Sequence, residues 1–209
     1  MPSSATRLPS PRPPRRASAV AALAGAALAA GACGGDDPFA VRAQFQTTLD
    51  TLVAFPFRSS QPLLPSAVDL TGRVVVRPGL RGGVPNFDFA FDTDAQGRVL
   101  LYPAGLLVSP PSGSPRTGFQ VSTTPFDALE IAPRSGYRFD SVQVAAVGQT
   151  VVIEGQGIGQ AVLFCGGTSP LHAKLVVDSV SRATGGIHFR VRTNPNCGFR
   201  ALTPGIPED

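Results

Sequence analysis

The sequence predicts an all-β domain built as an antiparallel β-sandwich, and three observations carry that expectation. Short apolar runs alternate with polar residues at a period of two, the signature of half-buried strands. Glycine and proline (23 and 21 in 209 residues) separate the runs often enough to require many turns. The composition is rich in Val, Phe and Thr and holds no Trp and a single Lys, a mix that favours strands over helices.

Taken in order, "VRAQFQT" sets Val41, Ala43 and Phe45 against Arg42, Gln44 and Gln46. "TLVAFPF" continues it, with Pro56 marking an edge or a bend. "RVVVR", Arg73 to Arg77, is closed by Pro78 and Gly79. "NFDFAFD" is the cleanest alternation and predicts Phe87, Phe89 and Phe91 on one side and Asp88, Ala90 and Asp92 on the other. "RVLLY" and "GLLVS" read as two strands divided by Pro103. "GFQVS", "YRFDSVQVAAV", "TVVIEG", "QAVLFC", "KLVVDSV" and "GIHFRVR" complete the set. "TDAQGR" and "VSRATGGIH" read as hairpin turns, the latter with Gly185 and Gly186 available for positive φ. Ser109 to Gly118 is the longest irregular segment. "PFDALEIAP", Pro125 to Pro133, is the one place where a helical turn is expected. Ten to twelve short strands at hairpin spacing fit a sandwich, immunoglobulin-like in the simplest case; a β-barrel is the alternative.

The first 32 residues stand apart. Arg7, Arg12, Arg15 and Arg16 precede an alanine-rich apolar run, "ASAVAALAGAALAA", and small residues lead up to Cys33. A charged start, a short apolar core and small residues before a cut form an export signal. The run is too short to span a bilayer permanently, which takes about 20 apolar residues. Residues 1–32 therefore read as a signal peptide, 33–38 as a flexible tether ("CGGDDP") and 39–209 as a single domain. Losing the four leader arginines removes the whole excess of 18 basic over 14 acidic side chains. A net-neutral mature chain gives no electrostatic support for nucleic-acid binding, and none is expected. Arg190 and Arg192 read as a solvated strand face.

"AGAC", Ala30 to Cys33, followed by the small polar "GGDD", resembles the lipobox of bacterial lipoproteins, a resemblance covering residues 1 to about 37. It implies that Cys33 carries acyl groups and that the membrane is a partner through that anchor. It also implies the bacterial cell envelope, periplasm or outer membrane, as the location, a soluble secreted protein being the alternative. Ala30 departs from the larger aliphatic residue that most lipoboxes carry there. Three cysteines are present, Cys33, Cys165 and Cys197. With Cys33 acylated, Cys165 and Cys197 are left and can pair in an oxidising compartment. The bridge would close 33 residues, a gain of roughly 3 to 4 kcal/mol in chain entropy. Two buried thiols are the alternative.

Motifs for chemistry are weak. "DTDAQG", Asp92 to Gly97, starts like a calcium loop, but position twelve is Pro103 where a bidentate Glu belongs. It reads as a polar hairpin turn, although binding of calcium by Asp92 and Asp94 is a question the sequence poses. Gly155, Gly157 and Gly159 have G-x-G-x-G spacing and no following helix, so a dinucleotide site is not expected. His172 and His188 lie on prospective hairpin partners without a third ligand, so no zinc site is expected. Asp127 with Glu130, or Asp88 with Asp92, are carboxylate pairs that folding could bring together. No catalytic residue, metal ligand or cofactor is assigned. The expectation is a non-catalytic binding or structural β-domain with an envelope protein or glycan as partner. The alternatives are a small envelope-anchored hydrolase working through carboxylates and a carbohydrate-binding module. The lack of Trp, with only Tyr102 and Tyr137 as tyrosines, weighs against the last.

Overall fold

The computed structural model describes residues 43–59, 63–108, 116–155 and 169–207. The chain divides into two compact units, Met1–Val41 and Arg42–Asp209, and every described residue belongs to the second. The signal peptide, Cys33, Cys165, Gly157, Gly159 and the run "QAVLFC" lie outside the described residues. Among the described residues no helix is long and apolar enough to cross a membrane.

The strands are β1 (Thr48–Ala54), β2 (Ala67–Asp69), β3 (Val74–Val76), β4 (Leu80–Arg81), β5 (Val84–Pro85), β6 (Phe89–Thr93), β7 (Val99–Pro103), β8 (Thr117–Val121), β9 (Gln143–Ala145), β10 (Thr150–Gly155), β11 (Leu171–Val180) and β12 (Ile187–Asn194). One five-stranded sheet has the order β1-β12-β11-β10-β8, and a second has β3-β2-β6-β7-β9; β4 and β5 form a separate hairpin. Every ladder between these strands is antiparallel. The two sheets stay open and face each other across one core, so the domain is a β-sandwich and the barrel alternative falls away.

Alternation explains the core. Phe89 and Phe91 of β6, Phe119 of β8, Ile153 of β10, Leu175 of β11 and Phe189 of β12 are fully buried between the sheets. Three ring contacts cross or line that interface: Phe89–Phe91 at 5.5 Å, Phe89–Phe119 at 5.5 Å and Phe91–Phe189 at 4.7 Å between centroids. Truncating any one of these rings to alanine would cost about 3–5 kcal/mol. β12 follows its sequence pattern: Ile187, Phe189 and Val191 are buried, and His188, Arg190 and Arg192 face outward.

Several expectations need correction. "VRAQFQT" forms no strand over residues 43–46; the ladder starts at Thr48, after an isolated bridge from Thr47 to Gly205. Phe87 does not join Phe89 and Phe91. It precedes the strand and packs on the outer side with Ala67, Ala90 and Ala104. "GLLVS" is not a strand: Ala104–Leu107 form a short helix, α1, so Pro125–Pro133 is not the one helical place. Pro103 sets φ at −54° as the N-cap of that turn, which proline tolerates at a helix start. The expected turn at Pro125 is present as a 3-10 turn, Phe126–Ala128. In the β11–β12 hairpin Gly185 has φ +70°, whereas Gly186 does not use positive φ.

Candidate functional site

A cluster of buried and half-buried polar side chains lies on the outer face of the β1-β12-β11-β10-β8 sheet. Alternation turns His172 and Lys174 of β11, and Val152 and Glu154 of β10, away from the core; Lys174 pairs with Val152 and His172 with Glu154. The segment from Ser122 to Tyr137 folds back over them. Leu129, Ala132 and Tyr137 pack with Val152 and Leu202 into a small second core.

Lys174, the single lysine of the chain, fastens that segment. It is buried, and its Nζ donates to Phe126 O at 2.6 Å and to Leu129 O at 2.7 Å. The ammonium also lies 4.8 Å from the centre of the Phe126 ring, and the Arg190 guanidinium lies 5.0 Å from the same ring. Burial, followed by the nearby Arg192 charge, pulls the Lys174 pKa down.

His172 is buried beside it. Its Nδ1 lies 3.0 Å from Phe199 O, and a carbonyl only accepts, so Nδ1 carries the hydrogen. The other ring nitrogen, Nε2, faces Glu154 Oε2 at 3.6 Å. Burial lowers the His172 pKa and raises that of Glu154, so each leans toward its neutral form. Tyr137 closes the cluster with its ring centre 6.4 Å from the imidazole, and its hydroxyl donates to Pro133 O at 2.9 Å. Burial pushes the Tyr137 phenol above its ordinary range. Arg200 donates to Ala132 O at 2.7 Å. Four titratable side chains, Lys174, His172, Tyr137 and Arg200, therefore direct hydrogen bonds to backbone carbonyls of covering segments.

A second polar knot sits where the chain enters β1. Asn196 Oδ1 accepts from Gln44 N at 2.8 Å and Phe45 N at 3.0 Å, and its Nδ2 donates to Phe45 O at 2.7 Å. Asn194 Nδ2 donates to Ala201 O at 2.9 Å. Cys197 follows directly and packs on Leu171.

Among the described residues, Asp88 is the one fully enclosed carboxyl in the gap between the sheets. It is 1% exposed. Its Oδ2 accepts from Leu70 N at 2.7 Å, and Oδ1 has no hydrogen-bond partner among the described residues. Oδ1 points toward the end of β10, 3.4 Å from where a Cβ on Gly155 would sit. Burial raises its pKa to about 7, with Asp69 adding to the rise against the bond from Leu70.

The pairs suggested by sequence do not assemble a site. Asp88 and Asp92 are four residues apart on an extended stretch, about 13 Å, and Asp92 instead faces Arg58 at 3.5 Å. Asp127 turns to Arg190 at 3.6 Å. His172 and His188 do lie on paired strands, but His172 pairs with Asn194 and His188 with Ser179, six residues apart along β12, about 20 Å. Asp94 is engaged by its own turn: Oδ1 accepts from Gln96 N at 3.0 Å and Arg98 N at 2.8 Å, and Oδ2 meets the Arg98 guanidinium at 2.6 Å. Gly97 at φ +75° completes the hairpin. No group of three or more His, Cys, Asp and Glu among the described residues could hold a metal ion. Lys174, Glu154, Asn194 and Asn196 escaped sequence reasoning. The available signals were a lone lysine inside "HAKLVV" and the two asparagines of "NPNC".

No protein-family model, curated protein or solved structure matches the chain.

Proposed function

We infer that this chain is a cell-envelope lipoprotein, anchored through an acylated Cys33, whose β-sandwich is a non-catalytic binding or structural module. The observation that supports the non-catalytic part is the use of the buried polar groups. Lys174 and His172 of β11 bond backbone carbonyls and hold covering segments on the sheet, while Tyr137 and Arg200 bond carbonyls within and between those segments. Groups committed in this way are positioned to stiffen a scaffold rather than to meet a substrate. Partners are the membrane, through the anchor, and an envelope protein or glycan on the sandwich surface.

The anchor reading rests on "AGAC" and on cysteine parity. With Cys33 acylated, Cys165 and Cys197 are left to pair with each other in an oxidising compartment. Metabolic labelling with palmitate tests the anchor: the wild-type chain incorporates label and Cys33→Ala does not. An unlabelled wild-type chain would falsify it and leave a soluble exported protein. Mass spectrometry after alkylation, with and without reductant, tests the bridge. Two alkylated thiols at Cys165 and Cys197 without reductant would sink the pairing.

A further inference from the structure

Each of the two five-stranded sheets ends on two edge strands, and among the described residues three of these four edges are guarded. On β8, Phe119 N donates to Arg138 O at 3.0 Å and Arg138 N donates back to Phe119 O at 2.9 Å, so the middle of that edge is paired. β3 and β9 hold three residues each, and β3 runs straight into Arg77 and Pro78. Short, charged or proline-bearing edges offer little to another strand. β1 differs. It is seven residues long and contains no Pro, Lys or Arg.

The amide directions locate its open stretch. Thr47 N donates to Gly205 O at 2.9 Å and Phe55 N to Pro65 O at 3.0 Å, and neither bond goes to the ladder partner β12. Successive residues of an antiparallel strand bond to opposite sides. Leu49, Thr51 and Val53 therefore also direct N–H and C=O away from β12, while Asp50 and Leu52 serve the ladder. Among the described residues no backbone group bonds those three on that side. Their side chains are exposed and uncharged. The charge between them is matched, because Asp50 Oδ1 accepts from the Arg73 guanidinium at 2.8 Å. An unguarded edge thus runs from Leu49 to Val53 and is closed at both ends.

The closed ends select the occupant. In a two-fold pair of copies centred on Thr51, Thr47 of one chain would face Phe55 of the other. The edge is already taken at both positions, by Gly205 and by Pro65. A single peptide has no such flanks and can turn away at its ends. We propose that the β1 edge accepts an extended peptide of a partner protein as an added antiparallel strand, with uncharged, β-branched residues opposite Leu49, Thr51 and Val53. The inference deepens the binding-module reading by giving it a partner class, and it does not depend on acylation of Cys33.

The probe is the peptide KVTVTVK, added to the full-length protein, with amide hydrogen exchange followed by NMR. Its three valines exchange bonds with Leu49, Thr51 and Val53. Exchange at those three amides is expected to slow about tenfold when free peptide is about ten times its dissociation constant, with Asp50 and Leu52 unchanged. Methylating the nitrogen of the central valine removes a bond to Thr51 and should weaken binding about tenfold. A threonine nitrogen points away from the edge, and methylating it should change binding less than about twofold. Thr51→Pro withdraws an amide hydrogen that β12 does not use, so it should keep the native circular dichroism and lose the peptide. No slowing at Leu49, Thr51 and Val53, or equal loss with the two methylated peptides, overturns the strand addition. A dimer in sedimentation that Thr51→Pro dissociates assigns the edge to a second copy and overturns it as well. Palmitate labelling reads the anchor separately. Label without peptide binding removes the strand addition alone; peptide binding without label removes the anchor alone.

Discussion

Replacing Asp88 by asparagine should stabilise this domain above neutral pH and leave it nearly unchanged in acid. Asp88 is enclosed, with one oxygen bonded to Leu70 N and the other without a partner among the described residues. Its folded pKa of about 7 stands above the ordinary 3.8. A raised folded pKa means that the native state holds the proton more tightly than the unfolded chain. Stability from this group is therefore complete below about pH 4 and is lost as pH rises through about 7. At about 1.4 kcal/mol per unit, the displacement amounts to about 4 kcal/mol between pH 4 and pH 8.5. Asparagine keeps the shape and can still accept from Leu70 N, but it never ionises. Urea unfolding followed by circular dichroism at a series of pH values measures the effect as the difference between the two proteins. Other titrating groups, His172 among them, cancel in that difference. The expected difference is near zero at about pH 3.5 and grows to about 4 kcal/mol in favour of Asp88→Asn by about pH 8.5, with unchanged m-values. Parallel pH profiles for the two proteins would refute the assignment of a buried, proton-holding carboxyl.

Lys174→Met keeps the side chain's length and removes its donors, leaving Phe126 O and Leu129 O unbonded by it. A loss of roughly 2–4 kcal/mol is expected, together with faster proteolysis between Ser122 and Tyr137; an unchanged cleavage rate there would count against the fastening role. Gly118→Ala places a methyl group 2.7 Å from a ring carbon of Phe139. Thermal unfolding should show a cost of about 1–3 kcal/mol, partly recovered when Phe139→Ala is added; strictly additive effects would show that the two positions do not touch.

Alternation was legible wherever a strand has one wet and one dry side. β12 shows it fully, with Phe189 inward and Arg190 outward. It was not legible on β10 and β11, whose outward residues Val152, His172 and Lys174 are buried as well. There the period-two signal fades, because a covering segment makes both faces dry. Phe87 was misplaced for a related reason: the alternation extends in the sequence beyond the residue where the ladder begins, and pairing decides where a strand starts.

The sequence by itself determined the all-β class, the hairpin turns at Gly97 and Gly185, and the array of phenylalanines available for a core. These depend on local period, turn chemistry and composition, which act over a few residues. The tertiary structure alone decided which polar residues matter. Lys174 meets Phe126 and Leu129 across more than 40 positions, and Asn196 meets Phe45 across 151. Asp88 loses water because a second sheet closes over it. Burial and long-range hydrogen bonding change the character of a side chain, and neither exists until distant segments are brought together.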